Sequence, residues 1–203
     1  KHRGTDLAGI LNGIDADEWN PATDPLLPAH YDQHSVTRGK AICKRELQRQ
    51  LHLTCDEAVP MCGMVSRMTD QKGFDLIAAT ADQLLSTPAQ FVFLGGGEKP
   101  SESLVQLLAQ RHPGRVAAFI GYSEELAHRI EAASDLFLMP SRFEPCGLNQ
   151  MYSLRYGTLP LVHAVGGLAD SVVNCTADNL AAGTANGFVF YDYSPDAFLG
   201  TLR

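Results

Sequence analysis

The chain has 203 residues, with 16 Lys plus Arg against 23 Asp plus Glu, for a formal charge of −7. An acidic balance argues against a nucleic-acid binder, which carries a basic surplus, and 45% hydrophobic with 19% charged residues excludes wholesale disorder. The longest apolar runs, such as Val116 to Ile120, fall far short of the roughly 20 residues of a membrane-spanning helix.

The opening Lys1 to Asp6 is polar and no apolar segment follows it, so no signal peptide is expected. The length suits one large domain or two small ones with a buried core. Cys43, Cys55, Cys62, Cys146 and Cys175 are odd in number and widely spaced, without a Cys-x-x-Cys pair. They read as reduced thiols of an intracellular protein rather than as a zinc ribbon or a disulfide framework.

The first 58 residues carry Gly13, Pro21, Pro25 and Pro28 and read as a loop-rich interdomain segment. One amphipathic helix, Arg38 to Leu51, closes it, with Ile42, Leu47 and Leu51 on one face. From residue 59 to 203, short β-rich runs alternate with helix-period segments. The expected strands are Met61–Ser66, Gln90–Leu94, Arg115–Ile120, Asp135–Met139, Thr158–His163 and Gly187–Tyr191. Between them the spacing predicts helices over Lys72–Leu85, Ser101–Gln110, Ser123–Ala133 and Gly147–Arg155, with a last one from Asp196 to Leu202. Ser123, followed by Glu124 and Glu125, fits an N-cap and an acidic first turn.

Strands apolar throughout are buried on both faces, which predicts an α/β fold: a Rossmann-like, three-layer α/β/α domain with a six-strand parallel sheet. Ligands of such sheets bind at the carboxyl ends of the strands. Five loops lie there: Arg67–Gly73, Gly95–Pro100, Gly121–Tyr122, Pro140–Gln150 and His163–Leu168.

Arg67 and Lys72 share one of these loops, and two fixed cations beside helix-terminal N–H groups suit a diphosphate; they also read as two solvated surface cations. Glu144 can accept hydrogen bonds from vicinal sugar hydroxyls, or merely favour a helix N-terminus. The run Cys146-Gly147-Leu148-Asn149 opens a helix whose free N–H groups can face phosphate or sugar oxygens. Tyr122 can stack on a nucleobase or anchor its own loop. His163 fits a proton carrier or a structural histidine. Cys146 lacks a neighbouring base and reads better as a backbone donor or packing residue than as a reactive thiol. The Gly95–Gly97 and Gly166–Gly167 runs can be plain turns, and Pro100 stands where a dinucleotide fingerprint needs glycine. With no Asp-x-Asp pair and no His cluster in the loops, no metal site is expected.

Several motifs carry a resemblance. Val65-Ser-Arg-Met-Thr-Asp-Gln-Lys-Gly73 and Pro140-Ser-Arg-Phe-Glu-Pro-Cys-Gly-Leu-Asn-Gln150 resemble the VSRLTxQKG and PSRFEPCGLxQ motifs of the bacterial glycogen synthases and plant-type starch synthases. Tyr156–Pro160, Gly166–Asp170, and Leu11–Asp15 with Trp19-Asn20-Pro21 are similar to further segments of that family, so the resemblance covers nearly the whole chain. It implies a two-domain GT-B enzyme that transfers glucose from ADP-glucose to the non-reducing end of an α-1,4-glucan, with retention and with neither cofactor nor metal. By the same resemblance, Arg67 and Lys72 stabilise the leaving diphosphate and Glu144 holds the donor glucose. Cys146, Gly147 and Leu148 offer backbone donors, Asn149 reaches a phosphate, and Tyr122 packs on adenine.

Asn149 replaces the Thr of many bacterial glycogen synthases, and Tyr152 stands where wider retaining GT-B enzymes carry a second Glu. The Lys-x-Gly-Gly-Leu loop of the family's N-terminal half is not found in this sequence. The chain is therefore expected to be the C-terminal, donor-binding half, with the N-terminal acceptor domain as its partner, and to bind ADP-glucose weakly and be inactive alone. Nucleic acid and membrane are not expected partners. A bacterial protein of this kind would be cytoplasmic, and one from a plant or alga plastidial. The rival readings are a UDP-glucose-dependent GT-B glucosyltransferase and a non-catalytic nucleotide- or glucan-binding module.

Overall fold

The computed structural model describes Ile10 and residues 12 to 203; Leu11 and the polar opening Lys1–Asp6 lie outside the described residues. Six strands form one sheet: β1 (Met61–Val65), β2 (Gln90–Gly95), β3 (Val116–Ile120), β4 (Leu136–Met139), β5 (Leu159–His163) and β6 (Phe188–Phe190). All neighbours pair in parallel, in the order β3-β2-β1-β4-β5-β6. Strand order therefore reverses between β1 and β4, which opens a crevice at their carboxyl ends.

The helices are α1 (Val36–Gln50), α2 (Phe74–Ser86), α3 (Lys99–Arg111), α4 (Glu124–Ala133), α5 (Asn149–Arg155), α6 (Gly166–Ser171), α7 (Ala177–Ala181) and α8 (Pro195–Leu202). The sheet buries both faces by strand alternation. On one face Met61, Val92, Leu94, Phe137, Met139 and Val162 pack with Cys43 and Leu47 of α1 and Leu126 and Ile130 of α4. On the other, Cys62, Met64, Phe91, Phe93, Leu138 and Leu161 pack with Phe74 and Ile77 of α2, Val105 of α3 and Phe198 of α8. This is the expected three-layer architecture. Each fully buried side chain such as Phe74 or Phe198 contributes about 1.5–3 kcal/mol. Among the described residues no helix is long and apolar enough to cross a membrane.

The loop-rich opening is not set apart from this core. Leu27, Tyr31 and Leu53 belong to the same buried cluster as α4 and the sheet, and the Tyr31 hydroxyl donates to the Tyr156 carbonyl at 2.8 Å.

Several helix boundaries differ from the sequence reading, and glycine is the main cause. Asp70–Lys72 forms a 3-10 turn rather than the start of a helix, because Gly73 adopts φ 88° and α2 begins only at Phe74. Gly147 adopts φ 73°, so α5 begins at Asn149. The stretch after His163 contains α6, and α7 follows where no helix was expected. The Ser123 cap is as predicted: its Oγ accepts from Leu126 N at 3.2 Å.

Candidate active site

A pocket of about 340 Å³ lies at the β1/β4 reversal point. Arg67, Lys72, Glu144, Cys146, Gly147, Leu148 and Asn149 line it, together with Asn12, Ser66 and Ser141. Residues from two loops that are distant in sequence thus converge on one cavity.

Backbone contacts hold those loops together. The Ser66 N–H donates to the Leu94 carbonyl, and the Met68 N–H to the Gly96 carbonyl, both at 3.0 Å. The turn carrying Arg67 is thereby fixed alongside the Gly95–Gly97 loop. Glu102 secures that loop in turn by accepting from Gly97 N at 2.9 Å. That bond, with Lys99 second, holds its carboxyl below the usual range. The Arg142 N–H donates to the Gln71 carbonyl at 2.9 Å, and the Arg142 guanidinium pairs with Asp75 at 2.5 Å. At Gly73 a Cβ would sit 2.2 Å from the Pro140 carbonyl oxygen, so only glycine permits this approach.

Lys72 and Glu144 form the central contact. The Lys72 Nζ donates to Glu144 Oε2 in a close ion pair, with Ser141 Oγ 3.5 Å from the same oxygen. Glu144 is 8% exposed. Arg67 is exposed, lines the cavity and donates to Gln71 Oε1 at 3.1 Å through one of the five N–H donors of its guanidinium.

The 144–148 turn is shaped from beneath. Gln150, nearly fully buried, donates through Nε2 to the carbonyls of Cys146 and Gly147, each at 3.1 Å. With those carbonyls turned inward, the N–H groups of Cys146, Gly147 and Leu148 have no hydrogen-bond partner among the described residues. Since α5 has only seven residues, these loop donors, more than a helix dipole, suit an anion. Gly166 and Gly167 are not plain turns. A Cβ on them would lie 2.0 Å from the Glu144 carbonyl oxygen and 2.1 Å from that of Cys146, so α6 sits directly against the turn.

Other residues fall elsewhere. Tyr122 follows β3 at the far edge of the sheet, is 86% exposed and does not line the pocket. Asn149 lines the pocket, but its Nδ2 donates to the Val65 carbonyl at 2.7 Å, which ties α5 to the end of β1. His163 is buried, with Nδ1 2.8 Å from the Ser141 carbonyl and Nε2 3.3 Å from that of Tyr191, a structural placement. Asn12, Ser66 and Ser141 carried no site reading from sequence; Asn12 was visible only as part of the segment resembling the interdomain link. Among the described residues, the grouping with metal-ligand spacing is Glu18, Glu124 and His128, none of which lines this pocket.

The profile of the glycosyl transferases group 1 family matches residues 52–203. The chain belongs to the group 1 glycosyl transferases. It is 56% identical over 197 residues to the glycogen synthase of Nitrosospira multiformis, covering 97% of this chain and 39% of that protein. It is 56% identical over 203 residues to the glycogen synthase of Anaeromyxobacter dehalogenans, covering 100% and 42%. The chain thus spans about two fifths of the length of the curated relatives it matches. Among solved structures it is similar to the catalytic domain of starch synthase IV from Arabidopsis thaliana bound to ADP and acarbose, at 40% identity and TM-score 0.86, covering 96% of this chain and 40% of that one. The C-terminal domain of a group 1 family protein from Francisella tularensis shares the fold alone, at 17% identity and TM-score 0.62, covering 94% and 86%. Group 1 membership agrees with the GT-B resemblance read from the motifs.

Proposed function

We propose that this chain is the donor-binding half of a retaining glucosyltransferase that moves glucose from ADP-glucose to the non-reducing end of an α-1,4-glucan. One observation carries the reading: Arg67, Lys72, Glu144 and the free N–H groups of residues 146–148 surround one pocket at the strand-reversal point. The glycogen synthase relatives and the starch synthase bound to ADP and acarbose support the choice of substrates.

In this reading the three N–H groups and two cations receive the diphosphate of the donor. Negative charge grows on the departing ADP as the glycosidic bond breaks, and donors already aimed at it lower the barrier. These groups supply the needed positive charge from the protein itself, so the transfer uses neither a metal nor a cofactor. Glu144 keeps the donor glucose in place through its hydroxyls. Lys72 arrives already held by Glu144, so part of its ordering cost is met before the donor binds. Residues 59–203, with α1 and the segment around Tyr31 packed on them, form the donor domain, and an N-terminal acceptor domain supplies the opposing wall of the cleft. A cytoplasmic setting fits the bacterial relatives and the five free cysteines.

The test is a pair of titrations and an assay. ADP-glucose should bind more tightly than UDP-glucose, and the full-length enzyme should release ADP when given ADP-glucose and a maltooligosaccharide. Preference for UDP-glucose would transfer the reading to the rival donor, and nucleotide binding without elongation by full-length protein would leave a binding module. Steady glucan-dependent ADP release by the 203-residue chain alone would show that the catalytic groups are misplaced.

A further inference from the structure

Outside the pocket, one buried histidine has a ring nitrogen without a partner among the described residues. His128 on α4 is 2% exposed. Its Nδ1 lies 2.8 Å from Asp24 Oδ2, and its Nε2 is buried without a hydrogen-bond partner among the described residues. A buried polar atom left unpaired forfeits its hydration without a compensating bond, so a native fold that keeps one calls for an explanation.

The surroundings supply one. A ring nitrogen of His128 and a carboxylate oxygen each from Glu18 and Glu124 lie within 4.8 Å of one another. With Nδ1 engaged by Asp24, the nitrogen left for the two glutamates is Nε2. Glu124 and His128 are one turn apart on α4, at the i,i+4 spacing that puts two side chains on one helix face. Glu18 is brought there by its neighbour. Trp19 stacks on His128 at a centroid distance of 3.8 Å and on Tyr152 at 3.7 Å, which clamps the imidazole plane.

Asp24 completes the arrangement. Its Oδ2 also accepts from the Tyr156 hydroxyl at 2.6 Å, and its Oδ1 accepts from Leu26 N at 2.9 Å. The carboxylate is therefore fixed and sets the tautomer: a neutral ring with its proton on Nδ1 donates to Asp24 and presents a lone pair at Nε2. A carboxylate behind the histidine, orienting the ligating nitrogen, is the usual support of a metal-bound imidazole.

We propose that Glu18, Glu124 and His128 form a binding site for a divalent transition-metal ion of the zinc class, separate from the donor pocket. One imidazole nitrogen and two carboxylate oxygens, with positions open to water, suit zinc; magnesium and calcium prefer all-oxygen sets. Zinc ligands at about 2.1 Å stand about 3.4 Å apart in a tetrahedron. Both glutamates are exposed and can close the remaining gap by rotamer change. The ion would join the segment around Trp19 to the first turn of α4, so its role is to fix that segment and raise stability.

The test uses the full chain and zinc itself, with cobalt as a spectroscopic substitute. Isothermal titration after chelator treatment should give one zinc per chain and an accompanying rise in Tm. The double variant Glu18→Gln/Glu124→Gln alters only exposed side chains and should fold; it should bind zinc at least about tenfold more weakly and lose the Tm rise. Cobalt should give visible bands of a nitrogen- and oxygen-bound ion. No zinc binding by the wild-type chain, or the same affinity in the double variant, overturns the proposal. So does a near-ultraviolet cobalt–thiolate band, which would place the ion on one of the free cysteines.

Discussion

Lys72 Nζ and Glu144 Oε2 are joined in an ion pair whose members come from different loops, 72 residues apart in sequence. The Lys72 side chain is 19% exposed and that of Glu144 9%. Removing one partner strands the other in a poorly solvated place. Lys72→Ala should lower stability by about 1–3 kcal/mol, less than the roughly 3–5 of a fully buried pair, because the stranded Glu144 lines the pocket and keeps some contact with water. Urea unfolding of the single and double Lys72/Glu144 variants measures this. A double variant as destabilised as the sum of the singles would show that the pair contributes nothing.

Arg67 separates function from stability. It is exposed and its side-chain bond among the described residues is to Gln71, so Arg67→Ala should leave the melting temperature nearly unchanged. In the full-length enzyme the same change should lower kcat about a hundredfold, as expected for a contact to charge that grows in the transition state. Unchanged kcat with a raised KM would reduce Arg67 to a ground-state binding residue.

The turn under the site should be sensitive to a single methyl group. Gly167→Ala would place a Cβ 2.1 Å from the Cys146 carbonyl oxygen, and overpacking of this kind costs about 1–3 kcal/mol. The turn would have to shift, so donor affinity should fall as well. Gly183 is the control: its φ is +67° but a Cβ there meets nothing within 4 Å. Gly183→Ala should carry only the backbone cost of about 1–2 kcal/mol, with donor affinity intact. Equal effects of both substitutions on donor binding would contradict the close approach.

Glu131 predicts a pH dependence with a definite sign. Burial, opposed by the 2.7 Å bond from Ser153, pushes its carboxyl up to about 8. The folded state therefore holds a proton that the unfolded state has released above about 4.5. Stability from this group is fully present below that value and is lost as pH rises toward about 8. Lys40, lowered by burial to about 8, acts in the opposite sense only above that pH. Melting temperatures of the wild type should fall between pH 5.5 and 8, and Glu131→Gln, which can still accept from Ser153, should flatten the curve. Parallel curves would refute the assignment.

The sheet was legible because its strands are apolar throughout, and apolar runs buried on both faces imply parallel pairing whatever the loops do. The convergence of Arg67, Lys72 and Glu144 was legible for the same reason, since each follows a strand. What was not legible depends on contacts that no local pattern encodes. That β3, with Tyr122 just beyond it, takes the sheet's outer edge is not announced by sequence order. The helix starts at Phe74 and Asn149 depend on left-handed glycines, whose φ is set by what they pack against. The Trp19, Asp24 and His128 cluster joins segments more than 100 residues apart, and its members have no shared period.

That separation has a consequence for synthesis. The Asp24 carboxylate takes its bond from Tyr156 across 132 residues, and Tyr31 reaches the same region across 125. At about 5–20 residues per second on the ribosome, the opening segment waits roughly 7–26 s for its partners to be made. During that interval Leu27, Cys43 and Leu47, all buried in the finished fold, lack the complete sheet that covers them. Nascent chains of this protein should therefore engage hydrophobe-binding chaperones until the fifth strand has left the exit tunnel. Slowing translation beyond residue 58 should prolong that engagement.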